Sequence, residues 1–211
     1  MLFAFIVVGG LLGLIGLIVQ SAGATPATSI DLGTFPSGPL GFRIRGDAES
    51  YLGRSIAQLG DFNDDGINDY IIGVPGNGGF AGVALILFGN TAMVDIDLDT
   101  FSSGPSGFKV IGYDRTIWRS GITFTGSSVG SAGDINDDGR ADALVADGAI
   151  TTDGANDNRG AVRVLFGRAG PFADIFLATF TAGDLGFTIY GYVDVTGQFN
   201  MNTCALGDGK A

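Results

Sequence analysis

Short apolar runs separated by glycine, aspartate and asparagine make up most of this chain. Four of them, at 55–59, 70–74, 83–88 and 108–111, have the length of β-strands and are bounded by turn-forming residues. In residues 42–45 apolar and arginine side chains alternate, which is typical of a strand with one wet face. The runs at 70–72 and 84–88 are apolar on both faces, as in strands between neighbouring sheets. The pattern predicts an all-β fold of short strands.

Long sequence blocks repeat along the chain. DLGTFPSGPLGFRIRG at 31–46 returns as DLDTFSSGPSGFKVIG at 97–112 and as FLATFTAGDLGFTIYG at 176–191. GRSIAQLGDFNDDGINDYIIGVP at 53–75 returns as GSSVGSAGDINDDGRADALVADG at 126–148. Repeats of this length indicate stacked or radially arranged units. We expect each unit to be a sheet of four antiparallel strands, because four-stranded sheets packed face to face around an axis form a β-propeller.

The second block contains an aspartate-rich loop, DFNDDGIND at 61–69 and DINDDGRAD at 134–142. Positions one, three, five and nine carry side-chain oxygens, and position six is a glycine that can turn the backbone. Calcium takes about six to eight oxygen ligands, so both loops are predicted calcium sites. The predicted ligands are Asp61, Asn63, Asp65, the Ile67 carbonyl and Asp69 in one loop, and Asp134, Asn136, Asp138, the Arg140 carbonyl and Asp142 in the other.

The loop sequences leave one alternative open and exclude another. Aspartate and asparagine also form Asx-turns without any ion, so acidic turns are the competing interpretation. An EF-hand needs an acid at position twelve, where this chain has Ile72 and Val145.

Composition narrows the function classes. The chain has 22 acidic and 11 basic residues, a formal charge of −11, which favours cations and makes nucleic acid an unsuitable partner. It has no histidine and a single cysteine, Cys204, which excludes histidine-dependent triads, zinc fingers and intramolecular disulfides. Paired carboxylates permit a glycosidase, but the predicted metal sites account for these acids. We therefore expect a protein that is not an enzyme.

The N-terminal segment has the composition of an export signal. Residues 2–19 carry no charge, and a small-residue stretch, QSAGA, ends at Ala24. We expect 1–24 to be an apolar helix that acts as a signal peptide cleaved after Ala24, or alternatively as a retained membrane anchor formed by 2–19. Either role makes the protein secreted or displayed at the cell surface.

These blocks resemble the FG-GAP repeats of integrin α-subunit N-terminal regions and of secreted bacterial proteins. Phe88-Gly89 and Phe166-Gly167 match the FG element, and Gly73-Val74-Pro75 matches the GAP element, which the second unit replaces by Ala146-Asp147-Gly148. The resemblance implies a propeller, usually of about seven blades, with calcium in loops between the first two strands of some blades.

The resemblance also sets the expected domain organisation and role. At roughly 60 to 70 residues per blade, 25–211 would hold about two and a half blades of a larger propeller. Unit one spans about 40–112, unit two about 113–191, and a partial third unit 192–211. The implied function is a calcium-binding exported module that acts in adhesion or binds an extracellular protein or glycan, with self-association through open blade edges also possible. The alternatives are an accessory propeller of a secreted hydrolase, since such repeats accompany a phospholipase D, and a structural envelope protein.

Overall fold

Three β-sheets make up the part of the protein that the structure describes. The structure is a computed structural model, and it describes residues 41–76, 81–90, 94–113, 124–148 and 160–191, with the backbone of two further strands at 5–9 and 13–16. No α-helix occurs in these ranges. The all-β prediction is confirmed for them, whereas Cys204 and the expected third unit at 192–211 lie outside them.

The N-terminal sheet is mixed. Strands β1 (Phe5–Gly9) and β2 (Gly13–Gly16) are antiparallel, and β1 runs parallel to β3 (Phe42–Arg45). Residues 5–9 and 13–16, which we expected to be helical, form β-strands. The rest of 1–24 lies outside the described residues. Among the described residues, no helix is long and apolar enough to cross a membrane.

The middle sheet contains the four strands predicted for the first repeat unit, whereas residues 42–45, at the start of that unit, belong to the N-terminal sheet. Strands β4 (Ile56–Gly60), β5 (Asp69–Val74), β6 (Val83–Leu87) and β8 (Gly107–Ile111) pair antiparallel in that order. Each lies within about one residue of its predicted range, because glycine and aspartate clusters end the strands where the apolar runs stop.

The C-terminal sheet corresponds to the second unit. Its strands are β9 (Val129–Gly133), β10 (Asp142–Asp147), β11 (Ala161–Leu165) and β13 (Gly186–Tyr190), antiparallel and in the same order as in the middle sheet. The predicted sheet of four antiparallel strands is therefore found twice.

Two short parallel strands were not predicted. Strand β7 (Ile96–Asp97) lies beside β3, with Ile96 opposite Ile44. Strand β12 (Ile175–Phe176) lies beside β8, with Ile175 opposite Val110, and a 3-10 helix at Leu177–Thr179 follows it. Each belongs to the segment that leads into the last strand of the next sheet, so the sheets are joined by backbone hydrogen bonds as well as by packing.

The middle sheet is buried on both faces. One face packs against Phe42 and Ile44 of the N-terminal sheet through a cluster that includes Ile72, Leu85 and Leu87. The other face packs against the C-terminal sheet through a second apolar cluster. This explains why β5 and β6 are apolar at nearly every position.

A buried ion pair lies between the middle and C-terminal sheets. Arg163 Nη1 is 3.2 Å from Asp147 Oδ2, and both side chains are almost fully buried. Arg163 Nη2 donates to the Tyr113 hydroxyl at 2.7 Å, and the Thr125 hydroxyl donates to Asp147. Burial raises the pKa of Asp147 to about 6, while the Arg163 charge and the Thr125 hydrogen bond oppose that rise. Removing both charges from water costs free energy, so this ion pair is weak evidence for added stability.

Candidate metal-binding loops

The two aspartate loops occupy equivalent places in their sheets. Residues 61–69 join β4 to β5, and residues 134–142 join β9 to β10. A glycine with positive φ precedes each loop, Gly60 at 101° and Gly133 at 68°. These glycines pair with Asp69 and Asp142, next to an irregularity in the strand register. Each loop is therefore closed by pairing of its position-nine aspartate with the residue before position one.

Side chains at positions one, three and five of the first loop turn inward over the loop backbone. Asp61 accepts the N–H groups of Asp65 at 3.0 Å and Gly66 at 2.8 Å. Asn63 accepts the same Asp65 N–H at 3.1 Å, and its amide group donates to Asp65 Oδ2 at 2.9 Å. Asp65 Oδ1 accepts the Ile67 N–H at 2.8 Å. Each predicted side-chain ligand at these positions faces its own loop.

The second loop repeats most of these bonds at matching offsets. Asp134 accepts the N–H groups of Asp138 at 2.9 Å and Gly139 at 2.8 Å. The Asn136 amide donates to Asp138 Oδ2 at 2.9 Å, and Asp138 Oδ1 accepts the Arg140 N–H at 2.9 Å. The repeated sequence thus produces a repeated loop conformation.

The aspartate at position nine fastens each loop to its sheet. Asp69 is fully buried, and its Oδ2 accepts the N–H groups of Phe62 at 2.8 Å and Asn63 at 3.2 Å. Its Oδ1 accepts the N–H of Gly89 at 2.8 Å. The Asp69 carboxylate therefore links the start of the loop to the backbone just after β6.

Asp142 acts in the same way in the second loop. It is fully buried, and it accepts the N–H groups of Ile135 and Gly167, each at 2.8 Å. The two loops therefore share this link through the position-nine carboxylate as well as the inward-facing oxygens.

The glycines of the two FG elements are parts of this site that the sequence reasoning missed. A Cβ on Gly89 would lie 2.3 Å from the Asn68 carbonyl oxygen, and one on Gly167 would lie 2.5 Å from that of Ala141. Only glycine lets the backbone come close enough to donate to the position-nine aspartate. The recurrence of Phe-Gly after each aspartate loop was the available signal.

Position four takes an unusual backbone conformation in both loops. Asp64 and Asp137 have φ of 69° and 58°, and the glycines two residues later have φ of 83° and 88°. Aspartate tolerates the left-handed region better than most residues. A Cβ on either glycine would meet no atom within 4 Å, so the backbone angle rather than space explains them.

An ion pair joins the two loops. Arg140 Nη2 lies 2.7 Å from Asp64 Oδ2, and Arg140 Nη1 lies 3.8 Å from Asp138 Oδ2. The Asp64 side chain is 56% exposed, so the contact is at the surface. The two loops therefore lie side by side at the same end of the middle and C-terminal sheets.

Negative charge is concentrated at this end. Burial raises the pKa of Asp69 to about 6, and the nearby Asp65 charge adds to the rise. Burial also raises the pKa of Asp142, with the charges of Asp138 and Asp134 adding to it. The backbone N–H donors oppose these shifts and do not cancel them. The carboxylates of Asp69 and Asp142 are therefore easier to protonate than those of exposed aspartates, and a nearby positive charge would favour their ionised form.

The residues present fit calcium in their chemistry and sequence offsets. Carboxylate oxygens face both loops, the Asn63 amide oxygen also faces the first loop, and a carboxylate oxygen that accepts one N–H keeps a second lone pair. Within the described residues, however, no three acidic side chains converge as a ready-made metal cluster. The hydrogen bonds themselves are those of successive Asx-turns.

No protein-family model matches this chain, and no curated protein matches it either.

Proposed function

We propose that this protein is an exported, noncatalytic module of β-propeller type, stabilised by calcium in its two aspartate loops. Its loop end would contact an extracellular protein or glycan. The proposal includes membership of the FG-GAP kind of repeat, whose motifs the chain resembles.

The observation that carries the proposal is the agreement between the two loops. The aspartates at positions one, five and nine accept equivalent backbone N–H groups in both loops, although the residues at positions two, seven and eight differ. A single acidic turn is common, whereas two matching turns in matching places support a shared ligand requirement.

Electrostatics favours a divalent cation over an empty turn. Repulsion between carboxylates a few ångströms apart grows as the surroundings become less like water. A bound Ca²⁺ would supply positive charge and hold the position-nine carboxylate ionised, because metal binding requires deprotonated ligands. Asp61, Asn63 and Asp65 would turn oxygens toward the ion, and the Ile67 carbonyl and Asp69 would complete the set. Asp134, Asn136, Asp138, the Arg140 carbonyl and Asp142 would do the same in the second loop.

The propeller assignment is supported by the way in which the sheets pack. Two sheets with the same strand order lie face to face, and the middle one is buried on both sides. Stacks of this kind occur in propellers, where loops of successive blades gather at one end. The Asp64–Arg140 ion pair, at 2.7 Å, is consistent with such a gathering.

Isothermal titration calorimetry with CaCl₂ tests the metal sites. We expect two calcium ions per wild-type chain, one for Asp65→Ala, and none for Asp65→Ala combined with Asp138→Ala. The matched control is Asp47→Ala, an exposed aspartate outside both loops, which keeps both sites. Binding that is absent from the wild type, or unchanged in the double variant, contradicts the proposal.

The contact role needs a separate measurement. We expect binding to an extracellular glycan or protein array in CaCl₂ and loss of that binding in EGTA. Asp65→Ala with Asp138→Ala should lose it even in CaCl₂. Hydrolysis of an arrayed ligand would instead support the hydrolase alternative.

A further inference from the structure

Backbone hydrogen bonds between the two aspartate loops are the feature that the proposed function leaves unused. The Ala141 N–H donates to the Asp61 carbonyl at 2.9 Å, and the Arg168 N–H donates to the Phe62 carbonyl at 2.8 Å. Ala141 is position eight of the second loop, and Asp61 and Phe62 are positions one and two of the first. The loops are therefore joined through their main chains as well as by the surface ion pair.

A single peptide group serves both loops. It joins Arg140 to Ala141, so it contains the Arg140 carbonyl, a predicted calcium ligand of the second loop, and the N–H that is bound to Asp61 of the first loop. The peptide group is planar and trans, so its C=O and N–H point in opposite directions and turn together. The position of the Asp61 carbonyl therefore orients the Arg140 carbonyl.

A second route connects the two position-nine aspartates. Asp69 accepts the N–H of Phe62 at 2.8 Å, and the Phe62 carbonyl accepts the N–H of Arg168. The adjacent N–H, that of Gly167, donates to Asp142 at 2.8 Å. Hydrogen bonds in such a chain polarise one another. A predicted ligand of one loop is thus connected to a predicted ligand of the other without a break.

Close packing prevents one loop from shifting alone. A Cβ on Gly60 would lie 2.9 Å from the Ala141 Cβ, and a Cβ on Gly167 would lie 3.0 Å from the Phe62 carbonyl oxygen. Phe62 and both position-nine aspartates are fully buried. Because close-packed interiors transmit displacements, a change of conformation in either loop must move its neighbour.

The charges of the loops permit both to be occupied. Each loop carries four aspartates, so one bound calcium would leave either loop with a net negative charge, even when Arg140 is counted with the second. The remaining carboxylates would therefore oppose repulsion between the two ions. The Arg140–Asp64 ion pair lies at the surface, where such pairs contribute little, so we attribute the connection to the backbone bonds.

We propose that the two loops form one coupled binding unit, in which calcium at either loop strengthens calcium binding at the other. This inference rests on the proposed metal sites. With the first loop occupied, Asp61 and the peptide group bound to it would already be ordered when the second loop binds, so less ordering would remain. Linkage requires the effect to be equal in both directions, and we expect about fivefold or more.

Isothermal titration calorimetry with CaCl₂ on the full chain measures the coupling. The coupling factor is the product of the two wild-type association constants divided by the product of those of Asp65→Ala and Asp138→Ala. We expect about fivefold or more. The three titrations are repeated with Ala141 replaced by lactic acid, which forms an ester without the N–H, and the factor should fall. Changes in the affinity of a single loop cancel, because the factor is calculated within each background.

Controls separate the possible outcomes. The same ester replacement at Thr100, whose N–H donates to Asp97 at 3.2 Å in a turn outside both loops, should leave the factor unchanged. Circular dichroism checks the fold, and an ester at Arg168, which removes the other linking N–H, is used if the Ala141 ester is unfolded. Two bound ions with a factor of one, or a factor that the linking ester does not change, would overturn the coupling alone. A wild type that binds no calcium would overturn the metal sites and the coupling together.

Discussion

The middle and C-terminal sheets are two folded versions of one repeated sequence, and they differ on one face and at one loop. On the face toward the preceding sheet, the middle sheet has Val74 and Leu85 where the C-terminal sheet has Asp147 and Arg163. The strand order is nevertheless the same. The same strand order therefore forms whether an apolar pair or a buried ion pair occupies these two equivalent positions.

The aspartate loops differ in what covers them. The first loop is covered by the C-terminal sheet: Phe62 is fully buried, its carbonyl accepts the Arg168 N–H at 2.8 Å, and the Asp61 carbonyl accepts the Ala141 N–H at 2.9 Å. Ile135, the counterpart of Phe62, is 48% exposed. The repeat sets the bonds inside a loop, whereas the neighbouring sheet decides how deeply the loop is buried.

The largest expected effect comes from the covered loop. Phe62→Ala should lower the free energy of unfolding by about 3–5 kcal/mol, because it empties a fully buried aromatic site. Ile135→Ala should cost less than about 1 kcal/mol, because that side chain is half exposed. Urea unfolding measures both, and equal losses would show that the two loops are equally covered.

The ion pair offers the next test of the comparison. Arg163→Leu alone should destabilise the protein by about 3 kcal/mol at pH 7, because Asp147 keeps a buried carboxylate without its counter-charge. Adding Asp147→Val recreates the apolar contact of the middle sheet and should restore at least wild-type stability. A double variant as unstable as the single one would indicate that the pair is needed for packing.

Substitutions of the two position-nine aspartates should differ by a smaller amount in the free energy of unfolding. Asp69→Asn and Asp142→Asn each replace one carboxylate oxygen that accepts buried N–H groups, at a cost of about 1–3 kcal/mol without calcium. Asp69 should be the more costly site, because it accepts three N–H groups and Asp142 accepts two. Urea unfolding in EGTA measures both losses of stability, and a larger loss for Asp142→Asn than for Asp69→Asn would contradict the prediction.

The smallest effect belongs to the link between the loops. Arg140→Gln removes the surface contact with Asp64 and should lower the unfolding temperature only slightly. Because salt screens exposed charges, the difference from wild type should disappear in 1 M NaCl. A large drop that persists in salt would show that Arg140 has a further structural role.

Much of this arrangement is readable from sequence, because local signals are strong here. Glycine and aspartate clusters end the apolar runs, so the four strands predicted for the first repeat unit lie close to their predicted positions. The inward direction of Asp61 and Asn63 follows from their alternation in a tight loop. These features depend on residues that are near one another in the chain.

The remaining features depend on contacts between distant residues. A two-residue strand such as β7 has no period to detect, and it forms only because β3 offers an edge. The pairing of Asp147 with Arg163 could have been suspected, since both charges interrupt apolar positions of the repeat. The role of Gly89 was missed because every residue except proline has a backbone N–H, so only the recurrence of Phe-Gly after each aspartate loop pointed to it.

The central claim is that both aspartate loops hold calcium, and thermal unfolding tests it most directly. The unfolding midpoint is compared in CaCl₂ and in EGTA, for the wild type and for Asp65→Ala with Asp138→Ala. Calcium at about a hundredfold excess over Kd should stabilise the wild type by about 2.7 kcal/mol per site. The account predicts a clear rise for the wild type and none for the double variant. No rise in the wild type, or the same rise in both proteins, would contradict it.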